Sequence, residues 1–137
     1  MTYYPIEVLG PDDDDGTMTQ SRAELEAAVV GHRIVSVTKE PVEHRYGYST
    51  SGTVITLDNG KRVELLGNGD CCAYTELESF LLHPELVDHI ITGIGTTDGY
   101  NTWHIYADMG DVLKLNVEWS CGNPFYYGYG FTIQVTP

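Results

Sequence analysis

Between Thr53 and Leu65 the chain has little freedom in what it can become. Two runs rich in β-branched residues, Val54-Ile55-Thr56-Leu57 and Val63-Glu64-Leu65, flank Asp58-Asn59-Gly60-Lys61. Asn-Gly supplies the two positive-φ positions that a type I′ turn demands, so the pattern predicts a tight antiparallel hairpin. A lone hairpin is marginal in water and needs further strands or helices against it.

The rest of the chain offers both. Val112 to Trp119 sets Leu113, Leu115, Val117 and Trp119 against Lys114, Asn116 and Glu118, the alternation of a strand with one buried and one wet face. It is expected to pair with Thr102–Asp108 through Met109-Gly110-Asp111. Further strands are expected at Arg33–Glu40, ended by Pro41, at His89–Gly95, followed by the turn Thr96–Gly99, and at Phe131–Val135. Met1–Leu9 reads as a short edge strand limited by Pro5. Glu43–Ser49 reads as a loop.

Two helices are expected. Ser21-Arg22-Ala23-Glu24 has the form of a capping box, Leu25, Ala28 and Val29 then share a face, and Gly31 offers a stop. Ala73, Leu77, Phe80 and Leu81 fall at helical spacing, with Asp70 or Thr75 as the cap and Pro84 as the end, opening a short turn. The expected fold is thus α+β: a single, mainly antiparallel sheet of about six or seven strands with two helices packed against it. Residues 1–137 form one domain, of which 1–20 read as a flexible acidic N-terminal segment.

The formal net charge of -13 opposes non-specific binding to nucleic acid or to anionic membrane. It favours solubility and a basic protein partner. No apolar run is long enough to span a bilayer, and Met1-Thr2-Tyr3-Tyr4-Pro5 lacks the basic start of a secretory signal. Asp12 to Asp15 resembles a calcium loop only superficially: aligning Gly16 with the loop glycine puts Pro11 and Arg22 at ligand positions. It reads as a solvated linker.

The three cysteines, Cys71, Cys72 and Cys121, are an odd number and fit reduced thiols in a cytoplasm. Adjacent cysteines do not give the two-to-four-residue ligand spacing of structural zinc sites, so no metal and no cofactor is expected. A thiol at a helix start would be activated, and His104, on a later strand, is the candidate base of a thiol hydrolase using Cys71 or Cys72. Against this, Trp103 and Ile105 would face the core, His104 the other side, and no third, orienting residue can be identified. A strand histidine is more often polar surface. The aromatic segment Phe125 to Gly130 could offer a stacking platform, but alternate tyrosines packed on a sheet explain it equally.

Gly69-Asp70-Cys71-Cys72 after a hairpin, with the late Ser120-Cys121-Gly122-Asn123-Pro124-Phe125-Tyr126-Tyr127-Gly128, resembles a family of small domains of unknown function. Its marks are G-D-C-C and a terminal S-N-G-Y-Y-G-G, here expanded by Cys121 and Pro124-Phe125. Members occur in bacteriophages, notably those of actinobacteria, and in bacteria. The resemblance spans Arg33 to Val135 and implies no activity. It implies a phage origin, action inside a host cell, and a shared site at the two motifs: Asp70, Cys71, Cys72, Asn123, Tyr126, Tyr127 and Gly128. The expected function is that of a small acidic accessory protein, non-enzymatic, binding a host or viral macromolecule. A thiol hydrolase and a small-ligand binder with its pocket between Asp70 and Tyr126–Tyr127 are the alternatives.

Overall fold

Strand alternation, rather than helical periodicity, governs most of this chain. The computed structural model describes residues 17–43, 47–69, 74–108, 110–120 and 130–137. Its elements are α1 (Thr17–Val29), β1 (Ile34–Glu43), β2 (Ser49–Leu57), β3 (Arg62–Leu66), β4 (Asn68–Gly69), β5 (Tyr74–Leu82), a 3₁₀ turn (Pro84–Leu86), β6 (Ile91–Thr97), β7 (Thr102–Ala107), β8 (Gly110–Ser120) and β9 (Thr132–Thr136). They make two antiparallel sheets. The first has the order β1-β2-β3-β9, the second β5-β8-β7-β6, extended at the β5 edge by the two-residue β4.

The expectation of a single sheet with two helices is therefore overturned: there are two sheets, and α1 is the one α-helix among the described residues. The error lies in β5. Its pairing with β8 slips between Leu77 and Ser79, a bulge that adds one residue to the strand. The partly buried Leu77, Phe80 and Leu82 all pack on the core, and the three-residue step from Leu77 to Phe80 imitates a helical face. Thr75 caps no helix; it is a fully buried strand residue.

The expected hairpin is present as β2 and β3, with Ile55 opposite Val63 and Thr53 opposite Leu65. Its turn is not type I′. Only Gly60 has positive φ, at 83°, the Leu57 N–H donates to the Lys61 carbonyl, and the Gly60 N–H donates to the Leu57 carbonyl. That is a type I turn with a glycine bulge, the three-residue alternative for the same Asn-Gly pair. Pro41 does not end β1 but sits within it, opposite Ser51. This is tolerable because β1 is an edge strand and proline's missing N–H leaves no ladder bond unmade.

Helix α1 starts at Thr17, so Thr17–Gln20 belong to the fold rather than to an N-terminal segment, and Met18 is fully buried. Ser21 lies inside the helix instead of capping it. Its hydroxyl accepts a hydrogen bond from the Phe131 N–H at 3.1 Å.

One core joins all three layers: Met18, Leu25 and Val29 of α1, Ile55 and Leu65 of the first sheet, and Ile94, Trp103 and Leu113 of the second. At its centre Trp103 meets Tyr100 and Phe131 edge-on, with centroids 6.0 and 5.3 Å away, and donates from Nε1 to the Tyr100 carbonyl at 2.9 Å. Burial of that ring is worth several kcal/mol, and truncating it to alanine would cost roughly 3–5 kcal/mol. It also holds Tyr100 at a φ of 63°, a left-handed conformation that non-glycine residues adopt only when packing compels it.

Candidate functional site

The residues that bracket the two sequence motifs meet at one end of the second sheet. Gly69 pairs with Tyr74 across β4 and β5, and Tyr74 pairs in turn with Ser120 of β8. Gly130 comes to the same place: its N–H donates to Thr75 Oγ1 at 2.8 Å, and its carbonyl accepts from Asn68 Nδ2. The Asn68 Oδ1 atom accepts from Thr132 Oγ1 at 3.0 Å, and the Thr75 hydroxyl donates to the Met18 sulfur at 3.6 Å.

The sequence dictates this junction locally. Gly130 has a φ of 97°, and a Cβ there would come within 3.2 Å of Ser21 Cβ and 3.3 Å of Thr17 Cγ2. Only glycine both adopts that backbone and lets α1 lie so close. Thr75, fully buried, needs partners for its hydroxyl and finds them in Gly130 and Met18, as buried polar groups must.

Beside this junction the outer face of the second sheet is acidic. Glu76 stands directly opposite Glu118 in the β5–β8 ladder, and Glu78 follows on the same edge. Like charges placed across a strand pair repel. Glu78 responds: a hydrogen bond to Glu118 first, then the Glu118 charge, lost hydration and Glu76, raise its pKa above the ordinary glutamate value. The Tyr74 hydroxyl, which donates to Glu118 Oε1 at 3.4 Å, also has a raised pKa, through lost hydration first and then the Glu118 charge. A depression of about 430 Å³ opens here, lined by Glu78, Ser79, Asp98, Asn101, Asn116 and Glu118 among others, with no lysine or arginine among its lining residues. A second cleft of about 480 Å³ lies nearer the first sheet, between Lys39, Thr50, Ser51, Asn68 and Glu76.

His104 lies on the same sheet, two residues beyond Thr102 of the depression but away from the Gly69–Ser120 junction. It pairs with Lys114 of β8, six residues from Ser120, about 20 Å at the rise of a strand. The parity expected of β7 holds: Trp103 and Ile105 are buried, His104 faces out. It is not simply solvated. Its side chain is 12% exposed, stacks on Tyr106 with centroids 5.6 Å apart, and has Asp111 Oδ2 3.0 Å from Nδ1 and Thr97 Oγ1 2.8 Å from Nε2.

The carboxylate partner of His104 that the sequence did not disclose is Asp111. The signal was hidden because a register shift between Ile105 and Tyr106 brings Asp111 opposite Tyr106 and diagonal to His104. Asp70, Cys71, Cys72, Cys121, Asn123, Phe125, Tyr126, Tyr127 and Gly128 lie outside the described residues, as do Met1–Leu9 and Asp12–Asp15. Among the described residues no group of His, Cys, Asp or Glu is arranged to hold a metal ion, and no helix is long and apolar enough to cross a membrane.

No curated protein and no solved structure matches the chain. A family model does, over residues 27–133, which takes in β1 to β8, the start of β9, the end of α1 and both motifs. The chain belongs to the family described as a domain of unknown function, DUF7448.

Proposed function

We propose that this is a binding protein for a basic macromolecular partner, a protein bearing exposed lysine or arginine, engaged at the acidic end of the second sheet. The observation that carries this reading is the depression rimmed by Glu78, Asp98 and Glu118 and lined by no cation. Carboxylates crowded enough to raise the pKa of Glu78 are relieved by an incoming guanidinium or ammonium, so the same charges that oppose one another in the free protein favour the complex. A net charge of -13 steers such a partner from a distance.

The resemblance of the two motifs supports counting Asp70, Cys71, Cys72, Asn123, Tyr126, Tyr127 and Gly128 among the binding residues. Under this reading the cysteines contribute contact and packing rather than nucleophilic attack. The setting proposed for it is a phage-type accessory role in the cytoplasm of a host cell, which rests on the resemblance of the two motifs and on the reading of the cysteines as reduced thiols.

The test is capture from a host-cell extract on the immobilised full chain, compared with E76K/E78K/E118K. The proposal expects basic proteins to be retained by the parent chain and lost from the variant. Equal retention by both would refute it.

A further inference from the structure

Thr97, His104 and Asp111 stand on β6, β7 and β8 and are linked through the two nitrogens of a single imidazole. A carboxylate only accepts, so the 3.0 Å contact to Asp111 Oδ2 places the proton of neutral His104 on Nδ1. Nε2 then carries the lone pair, and the Thr97 hydroxyl, 2.8 Å away, must be the donor. That is the hydrogen-bond order of a hydroxyl nucleophile, a general base and an orienting acid. The imidazole is shielded, at 12% exposure, and pinned by the Tyr106 ring.

Lys114 is the direct cross-strand neighbour of His104 and shares its face, but it stands on β8, across β7 from Thr97.

We propose that Thr97, His104 and Asp111 form an ester-cleaving site for small carboxylic esters, next to the acidic depression: Thr97 precedes Asp98 and pairs with Thr102, both of which line it. Thr97 Oγ1 attacks the ester carbonyl carbon while His104 Nε2 takes the hydroxyl proton. Collapse of the tetrahedral adduct breaks the bond to the alkoxide, which leaves as the alcohol with the proton from His104, and the acyl group stays on Thr97. Water, deprotonated by His104, then attacks the acyl carbon, the bond to Thr97 Oγ1 breaks, the proton passes from His104 to Thr97, and the acid leaves. Asp111 touches neither substrate nor product; it holds the tautomer and is a positioning residue.

The experiment uses the full chain with p-nitrophenyl acetate, following nitrophenolate release and mapping the acetyl group by peptide mass. The expected result is acetyl on Thr97. T97V and H104Q should each lower the rate about a hundredfold or more, T97S should retain it, and D111N should lower kcat with little change in KM. Acetyl found only on lysines or tyrosines, or a T97V rate equal to that of the parent chain, would overturn the proposal. The acetyl map on the parent chain decides even where a variant fails to fold.

Discussion

The outer faces of the two sheets both carry charge, but they treat it in opposite ways. On the first sheet Arg62 lies between Glu40 and Glu64, Gln134 Nε2 closes the row by donating to Glu64 Oε1 at 3.0 Å, and Thr38 donates to Glu40. Glu64, whose side chain is 8% exposed, is buried against the half-exposed Arg62 as its countercharge. On the second sheet Glu76, Glu78 and Glu118 are exposed, and among the described residues none of the three forms an ion pair. The Lys39 ammonium, which shares a cleft with Glu76, donates to the Glu78 carbonyl rather than to a carboxylate. Charge that is neutralised inside the chain holds the fold together; charge left in excess has to be balanced from outside.

That contrast can be broken from either side. The largest effect is expected for R62M, which leaves Glu64 buried without its cation and should lower stability by about 2–4 kcal/mol. Urea unfolding would measure it, and a variant as stable as the parent would show that the row is ornamental. E64Q added to R62M should recover much of the loss. Next comes E76K/E78K/E118K, which should abolish capture of a basic partner with no loss of stability, read from the same unfolding curves alongside binding. A third, smaller effect is expected of salt: raising ionic strength should weaken capture, because the second face is exposed and screened, yet leave the partly buried Arg62 row little changed.

The smallest concerns pH. Because folding raises the pKa of Glu78, the folded chain holds that proton more tightly than the unfolded one. The contribution is therefore most favourable below the ordinary glutamate value and is lost as pH rises through the raised one. E118Q, which removes the main cause, should flatten that decline in a plot of Tm against pH. A slope unchanged by E118Q would mean that the two carboxyl groups do not interact.

How much of this could be read from the sequence depended on whether a signal was local. The β2–β3 hairpin and the alternation of β8 were legible because the pattern and the turn residues lie side by side. The turn type was not, since Asn59-Gly60 suits both a two-residue and a three-residue loop. β5 was misread because a bulge after Leu77 disguises period two as period three. The Ser21–Glu24 box was misread because the serine serves Phe131, far along the chain. The candidate site divides similarly. His104 was found, but its partners Thr97 and Asp111 depend on strand register. Glu118 was visible as a wet-face residue. That Glu76 faces it across β5 and β8 needed the fold, because the sequence placed β5 in a helix.

The central claim is that the acidic end of the second sheet, not the acidity of the chain as a whole, is what a basic partner recognises. Titration of the isotope-labelled full chain with an arginine-rich peptide, followed by amide chemical shifts, tests it most directly. The account predicts shifts concentrated at Tyr74–Glu78, Asp98–Thr102 and Asn116–Ser120, and their disappearance in E76K/E78K/E118K. Shifts spread evenly over the acidic surface, or centred on Glu40 and Glu64, would contradict it.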